Sequence, residues 1–179
     1  MLKDVWKEFD RAELGHSSVH HLLAIHTLLK ERGYARAVDI ATYLQLTRGS
    51  VSITLKKLRE KEYVLEDENH FYQLSANGRR LVNAVLSKRR LVKTFLKDIF
   101  KLSEEIAEAD ACKVEHLITQ ETSAKMLSFI GLYLSDNPAA REFREKFEQY
   151  SHHCHQHDKD CMVCELECYF AGRDEMFSN

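Results

Sequence analysis

Two short amphipathic helical patterns lie close together in the first half of the chain. Residues 36–44 predict the first helix and residues 48–62 the second, with Gln45-Leu46-Thr47 between them. Thr47 is expected to cap the second helix, because a hydroxyl there accepts a hydrogen bond from a free backbone N–H. Two short helices joined in this way predict a helix-turn-helix. The residues of the second helix that recur at helical spacing and are expected to face the core are Val51, Leu55 and Leu58.

A predicted β-hairpin follows the helix-turn-helix directly. Residues 63–65 and 71–74 have the composition of strands, and the polar residues 66–70 predict the turn between them. A helix-turn-helix followed at once by a hairpin is typical of a winged helix. A long helix from Ser75 to about Phe100 comes next, followed by further helical patterns. We therefore expect a mostly α fold with a small β-wing, in which an N-terminal winged helix-turn-helix is followed by an all-helical domain.

Charge is divided unevenly along the chain. Residues 1–100 carry 18 Lys and Arg against 12 Asp and Glu, whereas residues 101–179 carry 8 against 16. A basic first half favours a polyanionic partner, and an acidic second half favours regulation or self-association. The predicted wing carries Glu66, Asp67 and Glu68, which phosphates would repel, so we expect the recognition helix to dominate DNA contact. The predicted DNA contacts are Arg36, Thr47, Arg48, Ser50, Ser52, Lys56 and Lys57.

The apolar runs and the positions of the cysteines indicate the cellular compartment in which we expect the protein. No apolar run is long enough to span a bilayer, and the acidic N-terminal residues are not those of a signal peptide. Four of the five cysteines fall after residue 150, which in the cytosol indicates metal or redox chemistry more than disulfides. We expect a cytoplasmic protein.

One short motif, Cys112 to His116, gathers metal-ligand chemistry. On a helix, Cys112, Glu115 and His116 project together, and Glu105 and Glu108 precede them on the same face. The apolar stripe that predicts the core-facing side, opposite these residues, is Ala107, Ala111, Val114 and Ile118. A thiolate and an imidazole suit zinc or ferrous iron, and the carboxylate adds an oxygen ligand. The competing interpretation is a buried structural cysteine beside a solvated Glu-His pair.

Taken in order, these patterns resemble the diphtheria toxin repressor family of metal-dependent repressors, and most closely its shorter branch typified by the manganese transport regulator. The resemblance covers about residues 16–135. It implies a homodimer, with metal bound between the helical domain and the first helix of the winged helix. The domains expected are a winged-helix DNA-binding domain at 1–75, a helical metal-binding and dimerisation domain at 76–150, and a Cys/His-rich tail at 151–179. The segments that carry the resemblance are Gly33-Tyr34-Ala35-Arg36, Asp39-Ile40-Ala41, Val51 to Tyr63, Leu74-Ser75-x-x-Gly78 and Glu115-His116.

The resemblance also implies a ligand set, from which this chain departs in part. The implied principal ligands are His20, Cys112, Glu115 and His116, and Glu108 is a possible further ligand. Family members commonly use a His on the long helix for a second metal position, where this chain has Arg89. Lys93 and Leu23 replace carboxylates nearby. Two cations and a leucine cannot bind a divalent ion, so the sequence leaves open whether one or two metals bind in the main site.

The tail predicts a second, separate metal centre. Its Cys161-x-x-Cys164 pair is typical of half a structural zinc site, and four thiolates also suit an iron–sulfur cluster. A loose metal-scavenging segment and redox-active thiols are the alternatives. The candidate ligands are Cys154, Cys161, Cys164, Cys168, His155 and His157.

Together these patterns predict a metal-dependent transcriptional repressor. We expect it to bind double-stranded operator DNA as a homodimer when loaded with a divalent metal, with Fe(II) favoured and Mn(II) or Zn(II) as alternatives. Neither a membrane nor a small-molecule substrate is expected as a partner. The rival hypotheses are a winged-helix repressor that senses thiol oxidation, and an enzyme with Cys112 as nucleophile and His116 as base. An enzyme is not expected, because no oxyanion donor or glycine-rich loop is evident.

Overall fold

A computed structural model describes residues 14–115 and 117–150. The described residues fall into two compact units, of which the first ends at Ile130 and the second begins at Gly131. In chain order the elements are α1 (His16–Arg32), α2 (Ala37–Leu44), α3 (Arg48–Glu60), β1 (Val64–Glu66), β2 (Tyr72–Leu74), α4 (Ala76–Thr94), a π-helical turn (Phe95–Ile99), α5 (Glu104–Val114), α6 (Gln120–Tyr133) and α7 (Pro138–Gln149). The predicted fold class, mostly α with a small β-wing, is confirmed. The predicted domain boundaries stay predictions.

One apolar core joins α1, α2, α3, the hairpin and the start of α4. The inward residues predicted for α3 are buried in it, and the cap predicted at Thr47 is present, because its Oγ1 accepts the Ser50 N–H at 3.2 Å. Burial of these branched side chains supplies the main driving force for folding. The side chains most completely buried in this core are Leu22, Ile25, Leu28, Ile40, Leu55, Leu58, Val51, Val64 and Val82.

The wing is an antiparallel pair in which Val64 lies opposite Leu74. These two side chains are buried while their neighbours Leu65 and Gln73 are exposed, as the pleat requires. Tyr72 N–H donates to the Ala35 carbonyl at 2.8 Å, which ties the wing to the connection between α1 and α2. The position of the wing beside the helix-turn-helix is therefore set by backbone hydrogen bonds.

The helix after the wing differs from its prediction in one respect. Ser75 caps α4 as expected, since its Oγ accepts the Gly78 N–H at 3.0 Å. The regular α-helix ends at Thr94, and residues Phe95–Ile99 form a π-helical turn. The Phe95 ring packs against Phe100 and Phe129, with centroids 4.7 and 6.0 Å away. A π-helical turn continues the helix with one wider turn, so apolar periodicity alone does not reveal it.

The helix that carries the Cys-Glu-His motif is shorter than predicted. It spans Glu104–Val114 rather than reaching Ile118, and Ser103 caps its start. Lys88 Nζ donates to the Ile118 carbonyl at 2.7 Å, so a side chain of α4 satisfies a backbone group just beyond α5.

The second unit contains the end of α6 and all of α7. Asn137 Oδ1 accepts the Ala139 N–H at 2.9 Å, and Pro138 occupies the first turn of α7 as the sequence predicts. Arg144 donates to the backbone carbonyls of Tyr133 and Ser135. Among the residues that the structure describes, no helix is long and apolar enough to cross a membrane.

Candidate metal centre

Three of the predicted ligands come together from two helices of the first unit. His20 lies on α1, Cys112 on α5, and Glu115 directly after α5. One potential ligand atom from each lies within 4.8 Å of the other two, and His20 Nε2 is 3.6 Å from Cys112 Sγ. Glu115 is 0% exposed, whereas His20 and Cys112 are half-buried. The fold thus brings together donors that are 92 residues apart in the chain.

The remaining predicted ligands are not part of this described cluster. His116 and the tail ligands Cys154, Cys161, Cys164, Cys168, His155 and His157 lie outside the residues that the structure describes. Glu108 is one turn before Cys112 and is engaged in ion pairs with Arg89 and Lys93. Its assignment as a metal ligand stays a prediction.

The motif face of α5 is partly covered by the fold, and the solvated Glu-His pair of the competing interpretation does not describe Glu115. Ala107 and Ala111 are fully buried as predicted, but Glu115 is buried as well. The polar face of α5 packs toward α4, where Arg89 reaches Glu108 at 2.7 Å. Amphipathic periodicity identifies the apolar face but does not show which element covers the polar one, so the burial of Glu115 was not predictable from it.

Glu115 is a buried carboxylate with little compensation from the protein. Neither of its oxygens has a hydrogen bond among the described residues, and its nearest cation is Arg89, whose Nε lies 3.7 Å from Oε2. Burial raises the pKa of Glu115 to about 7, Arg89 opposes that shift, and the Glu108 charge adds to it. Burying an ionised group with few partners is costly, so this carboxylate is stabilised either by a proton or by a bound cation.

The thiol of Cys112 is poorly suited to act as a nucleophile. Burial raises the pKa of Cys112; Arg89 opposes this shift, and Glu115 and Glu108 reinforce it. Reactive cysteines are low-pKa thiolates in electropositive surroundings. The pKa of Cys112 is shifted in the opposite direction, so the protonated thiol is favoured in the absence of metal. The raised pKa therefore weighs against Cys112 as a catalytic or redox-sensing thiol. The tail cysteines, the other possible thiol sensors, lie outside the described residues.

The donor set fits a divalent transition metal. Thiolate and imidazole are the soft and borderline ligands that zinc and ferrous iron accept, and the Glu115 carboxylate supplies charge as well as an oxygen. The Glu115 oxygens have no hydrogen bonds among the described residues, which leaves them available to coordinate an ion.

A series of ion pairs, here called the charge ladder, extends from this centre between cations that begin on α4 and carboxylates on α5. Arg89, Lys93 and Lys97 are spaced four residues apart, and they face Glu104 and Glu108. Lys93 pairs with both carboxylates, 2.9 Å from Glu108 Oε2. Hydrogen bonds from Lys93 and Lys97 lower the pKa of Glu104 to about 2. The sequence analysis noted Arg89 and Lys93 only as departures from the family; the matching four-residue spacings of cations and carboxylates were the signal that could have revealed the charge ladder.

The predicted recognition helix presents a polar and partly apolar surface. The side chain of Ile53 is 61% exposed on it, and sequence reasoning missed this residue. Exposed aliphatic groups on a recognition helix are suited to thymine methyls, and the alternation of hydroxyls with Ile53 could have indicated it. Thr47 is exposed and serves as the cap of α3. The predicted contact residues of α3, all exposed, are Arg48, Ser50, Ser52, Lys56 and Lys57.

Arg36 and the wing acids have structural partners in addition to any DNA role. The Arg36 guanidinium lies over the rings of Tyr34 and Phe71, 5.1 and 5.0 Å from their centroids. Glu66 pairs with Arg59 and with His70, and the pKa of Glu66 is lowered, chiefly by its hydrogen bond with His70. Arg36 is thus held by aromatic rings beside the wing, and Glu66 links the wing to α3.

The acidic tip of the wing also has a conformational role. Asp67 Oδ1 accepts the N–H groups of Asn69 and Phe71, each at 2.9 Å. These bonds form an Asx-type turn that closes the hairpin. Replacing Glu66 or Asp67 would therefore disturb the hairpin as well as its charge.

The chain is similar to known metal-dependent regulators. The family model for the iron-dependent repressor metal-binding and dimerisation domain matches residues 75–143, which include Cys112 and Glu115. The HTH-type transcriptional regulator MntR of Bacillus subtilis (strain 168) is 24% identical over 72% of this chain and 90% of its own length. The family model and these relatives support the predicted resemblance to the diphtheria toxin repressor and MntR family of metal-dependent repressors.

Other relatives of this chain are longer proteins. The diphtheria toxin repressor of Corynebacterium jeikeium (strain K411) is 28% identical over 63% of this chain and 47% of its own length. The crystal structure of T. acidophilum IdeR has a TM-score of 0.55 at 24% identity, covering 64% of this chain and 53% of that one. This structural likeness supports the winged-helix fold. The similarity to transcriptional regulators supports the prediction that the chain is not an enzyme.

Proposed function

We propose that this chain is a transcriptional repressor that binds operator DNA as a homodimer when His20, Cys112 and Glu115, together with His116, hold a divalent metal ion. The observation that carries the proposal is the fully buried Glu115 carboxylate, which has no hydrogen bond among the described residues and lies beside a thiol and an imidazole. A buried carboxylate of this kind is tolerated where a cation is to be bound.

The donor set favours ferrous iron, with zinc as the next candidate. Manganese prefers oxygen donors, whereas Cys112 offers sulfur and His20 offers nitrogen. Iron over zinc rests on the family resemblance, since the family description refers to iron-dependent repressors. MntR of Bacillus subtilis is among the similar proteins, so manganese remains an alternative to be tested.

The ligands couple two parts of the first unit. The position of His20 is tied to the winged-helix core, because its neighbours Leu22 and Ile25 on α1 are fully buried there. Cys112 and Glu115 are held by α5, which is joined to α4 through Arg89. His20 from α1, Cys112 from α5 and Glu115 directly after α5 would together hold the ion. Metal binding can therefore favour one orientation of the DNA-binding elements. The free energy of this effect equals the difference in ion affinity between the orientations.

Dimerisation is supported by apolar surface on α6. The side chains of Leu127 and Leu132 are 62% and 59% exposed. Two large apolar side chains this exposed on one helix are more typical of an interface than of solvated surface. Two recognition helices in a dimer would read half-sites about one helical turn, or a multiple of it, apart.

The test compares metal-stimulated DNA binding by the full chain and by two site variants. Duplex DNA selected from a random library by the Fe(II)-loaded protein serves as the probe, under anaerobic conditions. We expect Cys112→Ser and His116→Ala to lower metal affinity by at least tenfold and to abolish metal-stimulated binding. Cys168→Ser in the tail is the matched thiol control and should leave this response unchanged. Unchanged metal affinity in both site variants, with the fold intact, would contradict the proposed ligand set.

The proposal for the tail rests on sequence alone. The four cysteines after residue 150 supply enough thiolates for a structural zinc site or an iron–sulfur cluster, separate from the centre at Cys112. This second centre stays a prediction.

A further inference from the structure

The carboxylates nearest the candidate metal centre are already paired with fixed cations. Glu104, Glu108, Cys112 and Glu115 follow one face of α5, and Arg89, Lys93 and Lys97 oppose them from α4 and the π-helical turn. Arg89 stands between the two carboxylates on either side of Cys112. Arg89 Nη2 is 2.7 Å from Glu108 Oε1, and Arg89 Nε is 3.7 Å from Glu115 Oε2.

Both oxygens of Glu108 are occupied by these cations. Oε1 pairs with Arg89, and Oε2 lies 2.9 Å from Lys93 Nζ. Glu115 differs, because Arg89 approaches only Oε2 and Oε1 has neither an ion pair nor a hydrogen bond among the described residues. One carboxylate is therefore closed to a metal ion, and the other keeps an oxygen open.

The charge on the two cations equals that of one divalent ion. Arg89 remains protonated in proteins, and its planar guanidinium is shaped to bridge carboxylates. The pKa of Lys93 is raised by its hydrogen bonds with Glu104 and Glu108, so it too stays charged. A further ion between Glu108 and Glu115 would have to displace these groups and would meet their positive charge.

We propose that Arg89, supported by Lys93, takes the place of a second metal ion and restricts the centre at His20, Cys112 and Glu115 to one divalent ion per subunit. The inference rests on the proposed function, because it assumes that Cys112 and Glu115 bind a metal. In this role Arg89 determines the stoichiometry of the centre without being a metal ligand itself.

The test measures metal stoichiometry in the full chain with Cys154, Cys161, Cys164 and Cys168 changed to serine. Cys112 is then the one remaining thiol, so a thiolate-to-Co(II) charge-transfer band reports ligation by Cys112 alone. Mn(II) bound per subunit is counted by calorimetry and by elemental analysis after gel filtration. The unaltered tail, measured in parallel, shows how many ions the tail itself adds.

The decisive variant is Arg89→Gln/Lys93→Gln in that background. We expect it to bind one more Mn(II) per subunit than the parent and to give an electron paramagnetic resonance spectrum of two coupled ions. Arg89→Lys keeps the positive charge, and Lys97→Gln removes a cation that pairs with Glu104 but not with Glu108. Both controls should bind the same number of ions as the parent and give the spectrum of an isolated ion.

The outcomes separate this inference from the proposed function. Absence of the Cys112–Co(II) band in the parent contradicts the proposed metal centre itself. A band in the parent, with no additional ion in the folded double variant, contradicts only the role of Arg89, as does a parent that already contains two coupled ions. Thermal unfolding without metal checks the fold. If the double variant is unfolded, Arg89→Gln alone replaces it, and failure of that variant to gain an ion overturns the inference.

Discussion

At the scale of single residues, Glu115 carries the largest electrostatic penalty of the candidate site. It is fully buried, its oxygens lack hydrogen bonds among the described residues, and the Arg89 Nε stands 3.7 Å away. That distance is longer than a hydrogen bond and gives only partial compensation. Burial of Glu115 is therefore expected to lower the stability of the metal-free protein, a compromise common at functional sites and consistent with the proposed ligand role.

The penalty at Glu115 predicts an unusual pH dependence for the metal-free protein. The pKa of Glu115 is about 7 in the folded protein against an ordinary value of 4.5, so between these values the folded state retains a proton that the unfolded chain has lost. Stability therefore falls as pH rises through this range, by on the order of 3 kcal/mol. Glu115→Gln, which cannot ionise, should be more stable than the unaltered protein at pH 8 and lose that advantage by pH 5.

Urea unfolding in the presence of a chelator measures this difference. Other titrating groups, such as Glu104, are shared by both proteins and cancel in the comparison. A stability difference that is the same at both pH values would show that the Glu115 pKa is not raised.

At the scale of elements, the close approach of the wing to α4 depends on one glycine. Gly78 lies in the first turn of α4, and a Cβ placed there would be 2.1 Å from the Tyr63 carbonyl oxygen. The same oxygen accepts the Ser75 N–H at 3.0 Å, and Ser75 Oγ donates to the Glu62 carbonyl at 2.6 Å. The start of α4 is therefore fastened to the backbone before β1, and no side chain fits between them.

Gly78→Ala should destabilise the protein although alanine favours helices. The added methyl group must push the backbone at Tyr63 away from α4, which we expect to cost about 1 to 3 kcal/mol, by analogy with overpacked cores. Gly49→Ala is the matched control, because Gly49 lies in α3 with nothing within 4 Å of its added Cβ. That control should be neutral or more stable by up to about 1 kcal/mol. Equal stability of the two variants in chemical unfolding would contradict the packing argument.

At the scale of the whole molecule, we expect the surface of α3 to contribute more to DNA binding than the wing does. Arg48 and Lys56 are exposed on α3, whereas the acids of the wing form its turn and link it to α3. We expect Arg48→Ala and Lys56→Ala each to weaken metal-activated binding and to reduce the slope of log affinity against log salt by about one.

The exposed wing residue Glu68 is the matched test of the wing. Glu68→Gln removes one negative charge but keeps the hydrogen bonds of Glu66 and Asp67. It should therefore leave the hairpin intact and slightly strengthen non-specific DNA binding. The salt slope for each variant is read from fluorescence anisotropy titrations. Weaker binding by Glu68→Gln would show that the wing contributes attractively to the complex.

Much of the fold follows from local sequence pattern. The helix from His16 to Arg32, the caps at Thr47 and Ser75, and the hairpin between residues 63 and 74 are set by apolar periodicity and by hydroxyls at helix starts, which act over a few residues. The family resemblance selected His20 as a partner of Cys112 and Glu115. Helical spacing alone placed Cys112 and Glu115 on one face, but it contains no information about a residue 92 positions away.

Only the tertiary structure decided the electrostatic character of the site. Because α4 covers the polar face of α5, Glu115 is buried, its pKa rises, and Arg89 becomes the cation between Glu115 and Glu108. The sequence by itself determined which ligand types are present and which elements carry them. Their burial and pairing depend on which faces of distant helices meet, because desolvation and Coulomb energies are set by distances across the packed fold rather than along the chain.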